Sequence, residues 1–151
     1  MPNWIEGTMK IRGKENDIAA FIVNAIESVC ETNDPNFDDV EFSLKDFAYV
    51  KGSRRAFVKD GCTVFINPLS KKLQTIAIPI RQAWSFTPYE GSESRWINLA
   101  KEYSVDIRLQ GFECGIEFYQ DFAVCNGKIT IDEVKKYDDW LWDCPMPMMG
   151  G

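Results

Sequence analysis

Residues 5–30 read IEGTMKIRGKENDIAAFIVNAIESVC, and two periodicities meet inside that stretch. Ile5, Gly7, Met9 and Ile11 alternate with Glu6, Thr8 and Lys10. Successive side chains of a strand point to opposite faces, so this pattern predicts a half-buried strand closed by Gly13. From Ile18 the spacing changes. Ile18, Phe21, Ile22, Ala25, Ile26, Val29 and Cys30 recur at three- and four-residue steps, the apolar stripe of an amphipathic helix. Asn16 is the expected N-cap, and Asp17 suits the positive end of the helix dipole.

Outward from this strand–helix unit the signals alternate in kind. Between Glu31 and Asp46 the periodicity fades, and Asp34-Pro35-Asn36 reads as a turn. Lys51, Arg54, Arg55 and Lys59 follow as a basic run, so residues 31–60 are expected to form a long polar insertion. Thr63–Ile66 and Leu73–Ile80 read as two strands joined around Asn67-Pro68. The second is apolar at nearly every position from Ile76, as in a strand buried on both faces, and Pro79 calls for an edge or a bulge. A second helix, capped by Ser92 or Ser94, carries Trp96, Leu99, Ala100 and Tyr103 on its apolar side. Val105, Ile107, Leu109 and Gly111 alternate as another strand. Ile116–Cys125 and Lys128–Ile131 flank Asn126-Gly127, the pair favoured in type I′ hairpin turns. A short helix is expected over Asp132–Trp142, then a flexible surface tail from Cys144 to Gly151.

This order predicts one α+β domain over residues 1–143. It is ferredoxin-like, a βαββαβ antiparallel sheet with helices on one face, plus a C-terminal β-hairpin and short helix. A chain of 151 residues is long enough for one core without disulfide staples. The five cysteines form no CxxC pair, and the start, Met1-Pro2-Asn3-Trp4, has no basic, apolar leader pattern. The expected location is therefore a reducing cytoplasm. No apolar run approaches the ~20 residues of a membrane-spanning helix.

Four features together resemble the YubB ferredoxin-like family of plasmid and phage proteins. They are Met1-Pro2-Asn3-Trp4 leading into a strand that ends at Gly13, Ala83-Trp84-Ser85-Phe86-Thr87-Pro88 after a buried strand, the helix leading to Tyr103, and the strand from Gly115 to Phe122. The likeness is dense at the N-terminus and from Ile76 to Gly127. It departs from the family over Asn67–Thr75, which lacks the usual Asn-Trp-Gly-Thr-Lys-like stretch. The resemblance implies residence on a mobile genetic element, with no established reaction or cofactor.

The chemistry available is limited. With no histidine there is no imidazole general base and no Ser-His-Asp or Cys-His arrangement. Cysteine spacing suggests neither a zinc site nor an iron–sulfur cluster. The adjacent pairs Asp38/Asp39 and Asp138/Asp139 diverge in a strand or a helix alike. The chain is accordingly expected to be no enzyme and to need no cofactor or metal.

The net charge of −6 disfavours a general nucleic-acid binder and suits a partner with a basic groove. The leading expectation is an acidic inhibitor that binds a host defence protein, such as a CRISPR effector or a restriction nuclease. Its candidate contacts are the acidic run Asp34, Asp38, Asp39 and Glu41, and the terminal group Asp138, Asp139, Trp140 and Trp142. The alternative is a nucleic-acid-binding module. Lys51, Arg54, Arg55 and Lys59 would contact phosphates, and Phe118 or Tyr119 would stack on bases, although no RNP-type motif is present. A homodimer joined through sheet edges is a third reading.

Overall fold

Trp4–Gly13 forms the first strand, β1, and Glu15–Ala25 the first helix, α1, in a computed structural model describing residues 3–33, 36, 38–87 and 94–151. Four strands follow: β2 (Cys30–Asn33), β3 (Val40–Leu44), β4 (Ala56–Val58) and β5 (Cys62–Ile66). Then come β6 (Gln74–Ala83), α2 (Arg95–Tyr103), β7 (Asp106–Glu113), β8 (Phe118–Cys125), β9 (Lys128–Lys136) and the one-turn α3 (Trp140–Asp143). The strands make two antiparallel sheets, one ordered β4-β6-β1-β7-β8-β9 and a smaller one ordered β2-β3-β5.

The six-stranded sheet buries one face. Ile5, Met9 and Ile11 of β1 lie beside Ile76, Ile78 and Ile80 of β6 and Ile107 and Leu109 of β7. Both longer helices bury their stripes in the same core, α1 through Ile18, Phe21 and Ile22 and α2 through Trp96, Leu99 and Ala100. Gly7 and Gly111 face each other across β1 and β7. A Cβ at Gly7 would fall on the carbonyl oxygen of Gln110, and one at Gly111 would lie 3.1 Å from the Phe86 ring. The strands approach that closely only because both residues lack a side chain.

This is a mostly β protein, with 46% of the described residues in strands and 17% in helices. It is not the expected βαββαβ ferredoxin-like α+β fold, and three local readings account for the difference. First, the insertion expected at residues 31–60 contains strands, β2, β3 and β4. Its β2 and β3 join β5 in a separate sheet, so Cys62–Ile66 pairs with Val40–Leu44 and not with β6. Second, β9 continues through Asp132–Lys136 where a helix was expected, because those residues keep pairing with Phe118–Phe122. Third, α1 stops at Ala25 rather than reaching Cys30. Ile26 turns extended and bridges to Val50, while Glu27 N–H donates to Tyr49 and Lys51 N–H to Ala25. Tertiary partners took the backbone groups that a longer helix would have used.

Smaller features follow the residue chemistry. Lys14, not Asn16, is the N-cap of α1 and makes no side-chain cap bond, whereas the Ser94 hydroxyl accepts from Ile97 N–H at α2. Ser92 lies outside the described residues. Strand β6 buries alternate residues rather than both faces, leaving Ala77 exposed. Pro79 sits in this interior strand where its carbonyl accepts from Lys59 N–H, just past the end of the short β4. Asn126 and Gly127 both have positive φ, 51° and 69°, as a type I′ turn requires.

Candidate partner-binding surface

The C-terminal candidate is assembled by one anchored turn. Strand β9 ends at Lys136, and Asp139 then caps α3 by accepting from Trp142 N–H at 3.2 Å. The Asp143 carboxylate accepts in return from Asp139 N–H at 3.2 Å. Trp140 is the anchor: it is 5% exposed, meets the Tyr137 ring edge-on at 5.7 Å, and donates its indole N–H to the Pro147 carbonyl at 2.9 Å. Burial also pushes the Tyr137 hydroxyl pKa above its ordinary 10.0. With Trp140 turned inward, Leu141 and Trp142 are turned out, 72% and 85% exposed. The sequence placed Trp140 and Trp142 together as binding residues; the structure separates a packing tryptophan from a presented one.

The tail Cys144–Gly151, expected to be a flexible surface segment, lies back along the fold. Gly151 N–H donates to Trp4 O at 2.9 Å, Gly150 N–H to the Glu6 carboxylate at 3.4 Å, and the Cys114 thiol to Gly150 O at 2.9 Å. Met146 lines a shallow groove over the other face of the large sheet, while Met148 is 83% exposed. Asp138, Asp139 and Asp143 stand beside the turn, so the presented apolar side chains carry an acidic flank.

The other sequence-derived candidates are distributed differently. Asp38 and Asp39 are exposed just before β3, and Glu41 is half-buried within it, opposite Thr32 and Phe65. Asp34 lies outside the described residues. In the basic run, Lys51 is exposed and Lys59 is paired with Glu6. The Arg54 guanidinium lies over the Trp84 ring at 4.7 Å, and Arg55 lies 5.7 Å from both Trp4 and Trp84. Trp84 adopts φ 68°, an uncommon backbone conformation for a bulky residue, and remains 40% exposed. Of the two expected stacking residues, Phe118 is buried in the core and only Tyr119 reaches the opposite face.

That opposite face was not identified from sequence. Arg108 grips Asp121 with two hydrogen bonds of 2.9 and 2.6 Å, and Arg12 grips Asp106 at 3.1 and 2.6 Å. These bonds to the carboxylates push both guanidinium pKa values further up. Gln110 accepts from Lys10 at 3.0 Å and donates to the Tyr119 hydroxyl at 3.1 Å. Burial pushes the Tyr119 pKa up. The alternating polar positions of β1 and β7 were the available signal, but the pairing that brings them together is long-range.

Among the described residues, no group of three or more histidine, cysteine or acidic side chains is arranged to hold a metal. No helix among the described residues is long and apolar enough to cross a membrane. All five cysteines are unpaired. No family model, no curated protein and no solved structure matches the chain.

Proposed function

We propose that the chain is a non-enzymatic protein-binding module whose Leu141–Trp142 turn docks into an apolar, basic-rimmed groove on a partner protein. The observation that carries this reading is the division of labour between the two tryptophans. Trp140 fixes the turn, and Trp142 is held out in water at 85% exposure beside Asp138, Asp139 and Asp143. Exposing a large ring costs hydrophobic burial, and aromatic anchors with charged surrounds are the usual hot spots of interfaces. Capping and packing preorganise the turn, which lowers the ordering cost of association.

The family resemblance supplies the class of partner. A mobile-element accessory protein of this kind would inhibit a bacterial defence protein, a CRISPR effector or a restriction nuclease, by occupying its basic nucleic-acid groove. The net charge of −6 supports this direction, because opposite potentials speed encounter and favour register. Asp38, Asp39 and Glu41 are a second acidic patch for the same partner.

The test is a plasmid-transformation or phage-plating assay in bacteria carrying restriction or CRISPR immunity, with and without this protein. Restored plating by the wild-type chain, lost in Trp142→Ala with the fold intact, is the expected result. Purified partner should bind the chain at low salt and release it as ionic strength rises. Full immunity in the presence of the wild-type protein would overturn the inhibitor reading. Tight binding unaffected by Trp142→Ala would overturn the surface.

A second reading is favoured by the stack of Arg54 on the exposed Trp84 ring. That ring offers an indole face for a base, with the exposed Arg55 alongside for a phosphate. Purified protein carrying single-stranded nucleic acid, read from its ultraviolet absorbance ratio and lost in Trp84→Ala, would support it.

A further inference from the structure

We infer that strand β9 is the interface of a two-fold symmetric homodimer, joined edge to edge with Val134 on the axis. Strand β9 is the last strand of the large sheet, spans Lys128–Lys136, and is exposed at every residue but Ile131. A nine-residue edge of this kind presents unpaired backbone donors and acceptors, a template for another strand. Among the described residues no strand pairs with its outer side.

The backbone decides which residues can pair there. The Thr130 hydroxyl donates to Ala123 O, which shows Ala123 turning its backbone groups towards β9. Alternation along an antiparallel strand turns Asp121 and Tyr119 the same way. Their partners Ile131, Glu133 and Lys135 therefore face β8, and Asp132, Val134 and Lys136 direct N–H and C=O to the outer edge. With the axis at Val134, the outward residues meet one another. Val134 pairs with Val134 of the second copy, and Asp132 pairs with its Lys136, each pair exchanging both backbone bonds.

Side-chain charge selects the same register. The stretch Asp132-Glu133-Val134-Lys135-Lys136 is complementary to itself when run antiparallel. Asp132 faces Lys136, Glu133 faces Lys135, and the 58% exposed Val134 faces its own copy. Moving the axis by one residue sets Glu133 against Glu133, or Lys135 against Lys135. Moving it by two towards the strand's middle sets Asp132 against Asp132 and Lys136 against Lys128. Like charges directly opposite destabilise a strand pair, so the neighbouring registers are disfavoured. Edge lysines ordinarily guard against pairing. Here Lys135 and Lys136 each meet an acid in one register, and that makes a second copy of this chain the matching occupant.

Sedimentation of the full chain tests the proposal. The wild type should move from 17.3 kDa towards twice that mass as concentration rises, less so at high salt. Glu133→Lys and Lys135→Glu, studied separately, should each weaken association tenfold or more. Mixed in equal amounts they should associate again, because each supplies the charge the other lacks, and that recovery excludes simple misfolding. Val134→Pro removes only an outward N–H, so it should keep the circular dichroism of the fold and abolish association. A wild type of single-chain mass at all concentrations, variants that associate unchanged, or a mixture that stays monomeric would each overturn the inference.

Discussion

Replacing Trp140 and Trp142 one at a time by alanine tests the division between anchor and presented ring. Trp140 buries an indole of roughly 150–250 Å², at 5% exposure in this fold. At about 25 cal/mol per Å² that corresponds to ~4–6 kcal/mol, and a realistic unfolded chain reduces it by roughly 10–40%. Loss of the 2.9 Å bond to Pro147 O adds about 1 kcal/mol. The full amount registers only if the terminal segment unfolds with the rest, since a locally opening segment caps the loss at its own opening energy. The tail is tied to Trp4, Glu6 and Cys114, which belong to or adjoin β1 and β7. We expect Trp140→Ala to cost about 3 kcal/mol, within the range for truncating a buried aromatic. Trp142→Ala should stay within about 0.5 kcal/mol, as exposed substitutions do. Urea denaturation followed by far-ultraviolet circular dichroism measures both. With a slope of about 2 kcal/mol per molar urea, Trp140→Ala should lower the midpoint by about 1.5 M. A loss under about 1 kcal/mol for Trp140→Ala, or a larger one for Trp142→Ala, would refute the assignment of anchor and presented ring.

Three further outcomes are expected. Gly7→Ala should abolish folding or cost more than about 3 kcal/mol, because its Cβ meets the Gln110 backbone and no rotamer can relieve the clash; soluble expression and a thermal melt read it. Tyr103, Tyr119 and Tyr137 are each raised above 10.0, chiefly by burial, so their neutral forms favour the fold. Their contribution is fully present below pH 10 and is lost as pH rises through the higher folded values, because the folded state then holds more protons than the unfolded one. Phenolate absorbance should therefore rise late in the native protein, together with alkaline destabilisation; an ordinary titration midpoint with flat stability would contradict it. Cys62, half-buried with its thiol pKa raised by burial, should react with a disulfide reagent at pH 8 more slowly than exposed Cys30, as mass spectrometry of the labelled chain can show.

The amino-acid pattern by itself determined the elements whose burial is local and periodic. The alternation from Ile5 to Gly13 became β1, the stripe from Ile18 to Ala25 became α1, and Asn126-Gly127 closed β8 onto β9. Hydrophobic period and turn stereochemistry act over a few residues, so they are legible without partners. Which strands pair is a long-range matter. The move of Cys62–Ile66 to a separate sheet, the strands within residues 31–60, and the continuation of β9 past Ile131 all depend on neighbours distant in sequence. The candidate surface divides in the same way. Acidic and aromatic residues around Trp140 and Trp142 were visible, but which indole is buried depends on Tyr137 below it and Pro147 folding back. Burial is decided by what the rest of the chain covers, and tertiary structure alone supplies that cover.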